Sequence, residues 1–91
     1  MRLALLTALA LTAAPARASS DDAWAQFRVD VDTTCRALLQ APGAVVVEVN
    51  PFGSERYGAA LVTVATEALG TERMICIYDK AAKTAELTAP F

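Results

Sequence analysis

Ser20-Asp21-Asp22-Ala23-Trp24-Ala25-Gln26-Phe27-Arg28-Val29-Asp30-Val31-Asp32-Thr33-Thr34-Cys35-Arg36-Ala37-Leu38 carries two overlapping hydrophobic periods, one helical and one of strand type. Trp24, Phe27, Val31, Cys35 and Leu38 recur at steps of three and four, the spacing that lines one face of an α-helix. Ser19 and Ser20 followed by Asp21 and Asp22 supply a cap and negative charge for the orphan amides of a first turn. Arg28, Asp32 and Arg36 stand four apart on the opposite face, with alternating signs. A competing pattern lies inside the same stretch, where Phe27, Val29 and Val31 alternate with Arg28, Asp30 and Asp32 as on a strand. The helix is the stronger reading, because its period runs on past the alternation and carries its own cap. It is expected to stop near Gln40, where Ala41-Pro42-Gly43 removes an amide donor and admits left-handed geometry.

Beyond that break the period changes. Ala44 to Val49 is an apolar, β-branched run that ends in the turn residues Asn50-Pro51-Phe52-Gly53-Ser54. Tyr57 to Thr66 is a second β-prone run, Glu67 to Thr71 a loop, and Arg73 to Tyr78 a third run. Asp79 to Lys83 reads as a turn and Thr84 to Thr88 as a short edge strand. Short connections favour antiparallel neighbours. The expected fold class is therefore α+β: one N-terminal helix packed on a three- to four-stranded antiparallel β-meander, stapled by one disulfide.

The staple is Cys35 to Cys76, the pair that two cysteines allow, with separate buried or intermolecular thiols as the alternative. Closing a loop of about 40 residues stabilises by roughly 4 kcal/mol on the chain-entropy model, which matters for so small a core. The bridge also sets facing, because side chains alternate along a strand. Met74, Cys76 and Tyr78 are expected to point at the helix, and Ile75 and Ile77 away from it, joined on neighbouring strands by Val46 and Leu61. One helix covers one face, so the other is expected to carry an apolar patch, either a partner surface or ordinary leftover apolar area.

At the N-terminus, Met1-Arg2, an uncharged run from Leu3 to Ala14, and Pro15-Ala16-Arg17-Ala18 follow the order of a secretory signal. Residues 1–18 are expected to be a cleaved signal peptide and residues 19–91 a single small domain, periplasmic or secreted. The apolar run falls short of the about 20 residues that a spanning helix needs, so no membrane span is expected after cleavage. With six basic and ten acidic residues, the processed part carries a formal charge of −4. It has no basic run to meet nucleic acid or anionic lipid.

The chain has no histidine, the usual general base and the commonest metal ligand. No catalytic residue is assigned. Ser19, Ser20 and Ser54 sit at the processed terminus and in a turn, and none looks like an activated nucleophile. Asp30 and Asp32, two apart, diverge on a helix and share a face only on a strand. Two distant cysteines without histidine cannot complete a zinc site, and they lack the Cys-x-x-Cys spacing of a redox pair, so neither metal nor cofactor is expected.

The most individual stretch is Asn50-Pro51-Phe52-Gly53-Ser54-Glu55-Arg56-Tyr57, where Phe52, Arg56 and Tyr57 stand close at a hairpin tip. Aromatic and arginine side chains dominate binding interfaces, although a turn whose rings fold back onto the core has the same sequence. Together with Ile75 and Ile77 these are the possible partner-binding residues. The expected function is a non-enzymatic, protein-binding module of the cell envelope, an inhibitor or accessory subunit. The alternatives are a structural or self-associating component and, less favoured, a thiol-redox protein.

Overall fold

The computed structural model describes residues 20–40, 44–68 and 70–91. The expected signal peptide, residues 1–18, and the expected break at residues 41–43 lie outside them. One helix, α1 (Asp21–Ala37), packs on a four-stranded antiparallel sheet of β1 (Ala44–Val49), β2 (Tyr57–Thr66), β3 (Gly70–Asp79) and β4 (Thr84–Leu87). The strands lie in chain order, a plain meander.

Phe27 to Asp32 is helical, so the period-two alternation does not make a strand. Ser20 caps the helix, its Oγ accepting from the Ala23 amide at 3.0 Å, and Asp21 and Asp22 place negative charge in the first turn. The far end differs from expectation. The helix closes at Ala37 and not near Gln40, with Leu38 as the C-cap. That turn swings Leu38 into solvent, 40 % exposed, and brings Leu39 against the core in its place. The charged face is also rearranged: Arg36 Nε pairs with Asp32 at 2.6 Å, whereas Arg28 reaches across to the Pro51 carbonyl at 3.4 Å.

The core is thin. Val31 and Cys35 of the helix meet Ala60, Val62, Val64, Cys76 and Tyr78 of the two central strands, with Phe27, Leu39, Val45, Val47, Val49, Met74, Ala85 and Leu87 packed around them. Gly58 stands at one end of this layer, where a Cβ would come within 2.9 Å of both Phe27 Cζ and Val31 Cγ2. Its missing side chain lets the helix approach the sheet. Tyr78 is 3 % exposed. Burial, then the Asp30 and Asp79 carboxylates, push its hydroxyl above the ordinary tyrosine value, which keeps the phenol uncharged in the core.

Cys35 and Cys76 are bonded, with Cα atoms 6.1 Å apart, and both are fully buried. The bond joins the last turn of the helix to the third strand and fits an oxidising compartment. The β2–β3 hairpin is tighter than the sequence implied. β3 begins at Gly70 with Thr66 opposite, so Thr71 is in the strand and not in the loop. Gly70 makes this possible with a φ of 75°, a left-handed value that other residues adopt at a cost. Among the described residues, no helix is long and apolar enough to cross a membrane.

Candidate functional site

The alternation of β3 divides its side chains as the bridge requires. Cys76 and Tyr78 are buried and Met74 packs beside them, whereas Ile75 is 40 % exposed and Ile77 half-buried on the other side. Register carries the division across the sheet. Leu61 stands opposite Ile75 and Glu48 opposite Leu61, making one row, while Ala59, Ile77 and Glu86 make the next. Tyr57, Asp79 and Thr84 form a third row, and Val46, Thr63 and Arg73 a fourth. The open face thus has an apolar centre of Leu61, Ile75 and Ile77, flanked by Val46 and Tyr57. Carboxylates of Glu48, Asp79 and Glu86 stand around it, with Arg73 beyond Val46 and Thr63.

Two shallow grooves lie on this face. One, of about 480 Å³, runs between Tyr57, Ile77, Asp79, Thr84 and Glu86. The other, of about 400 Å³, lies between Glu48, Ala59, Leu61 and Ile75. The Arg56 guanidinium sits over the Tyr57 ring, 5.3 Å from its centroid, and holds that ring at the margin of the first groove.

The loop residues singled out from the sequence do not stay together. Tyr57 is the first residue of β2 and faces the open side, whereas Phe52 folds to the helix side and meets the edge of Trp24 with ring centroids 5.0 Å apart. Sequence spacing at a hairpin tip could not separate them, because the split arises from the direction in which the loop turns. Asn50 sets that turn, its Oδ1 accepting from the Phe52 and Gly53 amides at 3.2 and 2.9 Å. Gly53 completes it with a φ of 69°, where a Cβ would overlap the Tyr57 carbonyl oxygen.

Lys80 was not apparent from the sequence. Its Nζ donates to the Ser54 carbonyl at 2.6 Å and to the Phe52 carbonyl at 3.3 Å, and stands 4.8 Å from the Phe27 ring centroid and 5.3 Å from that of Trp24. This ammonium ties the β3–β4 turn, the loop and the helix start together. The signal for it lies in three segments distant in sequence, and no local spacing reports it. Phe52 is 55 % exposed but already has these partners, which makes the loop a built structural corner.

No group of three or more histidine, cysteine or acidic side chains that could hold a metal ion occurs among the described residues. Comparison of the chain with protein-family models, curated proteins and solved structures finds no match. The described residues thus form a disulfide-stapled, two-layer α+β fold in which none of them covers the second face of the sheet.

Proposed function

We propose that the chain is a small exported, non-enzymatic module that meets a protein partner through the open sheet face. The observation that carries this reading is the apolar centre of Leu61, Ile75 and Ile77, which no described residue covers, beside the half-exposed Tyr57. Aromatic and aliphatic side chains ringed by polar groups have the composition of a binding surface with a dry centre and a wet rim. The rim carries Glu48, Asp79 and Glu86 on one part and Arg73 on another, which suits a partner that offers charges of both signs around an apolar contact. An oxidising compartment suits the disulfide, and the leader-like order of residues 1–18 supports delivery there as a periplasmic or secreted protein. An inhibitor or accessory subunit is the occupation such a surface fits.

The reading is tested by capturing partners from the envelope fraction of the source cell with the oxidised domain, its Ile75→Lys variant and its Phe52→Ala variant. Ile75 is exposed enough for lysine to be accommodated without unfolding. The expected result is a partner held by the wild type and by Phe52→Ala and lost with Ile75→Lys. Retention by Ile75→Lys of everything the wild type captures would remove the open face from the function.

A further inference from the structure

The sheet also has two edges, and they are not alike. β4 is a four-residue strand, and the chain beyond it keeps to β3: Thr88 bonds Ile75 through its amide and its Oγ1, and the Phe91 amide bonds the Arg73 carbonyl. β1 is longer, Ala-Val-Val-Val-Glu-Val, with one charge and no proline. Exposed strand edges are ordinarily blunted by lysine, proline or a bulge. Among the described residues nothing pairs with the outer side of β1.

The direction of its free groups follows from the register. The Asn50 amide bonds the carbonyl of Ala59, its partner in the same register as the β1–β2 ladder. Hydrogen-bonded pairs alternate in an antiparallel ladder, so Glu48, Val46 and Ala44 bond to β2 while Val45, Val47 and Val49 direct N–H and C=O outward. These three residues are the ones whose side chains pack toward the helix. At the same edge the exposed Val29 of α1 lies near Val49 across a shallow groove of about 360 Å³, which Arg28, Asp32 and Thr33 also line.

We infer that β1 pairs antiparallel with β1 of a second copy, about a two-fold axis at Val47. That register alone engages all three outward residues of each strand, setting Val47 against Val47 and Val45 against Val49, for roughly six backbone hydrogen bonds. It keeps both helices on one side of a continuous eight-stranded sheet, because a two-fold axis perpendicular to the sheet preserves its faces. It also places Glu48 against Val46 of the other copy and never against another glutamate. The strand is self-complementary in hydrogen bonding, facing and charge, which is what an isologous contact requires. The open face of the proposed partner site stays uncovered in this dimer, so the two ideas stand or fall separately.

The test is sedimentation equilibrium of the oxidised domain, with two variants at one exposed position. Val46 is 53 % exposed, so a charge there leaves the monomer folded. The wild type is expected to be dimeric at tens of micromolar. Val46→Glu sets like charges opposite one another twice and is expected to raise the dissociation constant at least about tenfold. Val46→Lys sets lysine against Glu48 and is expected to leave that constant unchanged or lower it. Val47→Pro removes an outward amide that β2 does not use, and is expected to be folded, by Trp24 fluorescence, and monomeric. A wild type that is monomeric at about 200 μM overturns the pairing. So does a Val46→Glu protein as dimeric as the wild type, or equal weakening by glutamate and lysine.

Discussion

Replacing Cys35 and Cys76 together by alanine is expected to lower the stability of the domain by about 4 kcal/mol, the chain-entropy value for a loop of this length. Domains are stabilised by roughly 0.05–0.15 kcal/mol per residue, so about 70 residues have some 4–11 kcal/mol in all. The bridge therefore accounts for a third of the total or nearly all of it. The buried side chains that remain are valines, an alanine and one tyrosine, too few to replace it. Urea unfolding followed by Trp24, the only tryptophan, reads the loss directly because that ring meets both Phe27 and Phe52 edge to face. A midpoint within error of the wild type would show that the helix holds to the sheet without the covalent tie. Since both sulfurs are buried, reduction of the native protein is expected to be slow and to speed up in step with added urea.

Gly58→Val is expected to be nearly as damaging, by a different route. The new Cβ meets Phe27 Cζ and Val31 Cγ2 at 2.9 Å, and the two further methyl groups have no space beneath a helix that is anchored by the disulfide. Overpacking of this kind costs about 1–3 kcal/mol for modest additions, and valine is expected at or above the top of that range. Gly58→Ala should fall within it. Shortening the neighbour isolates the cause: Gly58→Ala combined with Val31→Ala is expected to lose less stability than the two single losses added together. Strict additivity in urea unfolding would mean that the close approach of helix and sheet is not what glycine provides.

Much of the fold was legible because two different periods stand side by side in the chain. The three-and-four spacing from Trp24 to Cys35, with Ser20 before it, is a helix written in sequence. Val31 and Cys35 do fall on its buried stripe. β1 and β2 begin and end where their β-branched runs do. The alternation of Met74, Ile75, Cys76, Ile77 and Tyr78 assigned faces correctly once one cysteine was tied to the helix. What escaped was set by contacts between distant segments or by backbone geometry at element ends. Leu38 gave way to Leu39 because the helix stopped early. Gly70 moved from loop to strand because a left-handed residue can open a strand as well as end one. Phe52 and Tyr57 parted because Asn50 and Gly53 turn the loop between the two sides of the sheet. Lys80 was invisible because its acceptors and rings come from the helix and the loop together.

Everything proposed for function depends on which side of the sheet meets water. Carbene footprinting of the oxidised domain, resolved to single residues by mass spectrometry, tests this directly. The structure predicts heavy labelling at Val46, Tyr57 and Ile75, and little at Val62, Val64 and Tyr78. The opposite pattern, with Val62 and Val64 labelled and Ile75 protected, would contradict it.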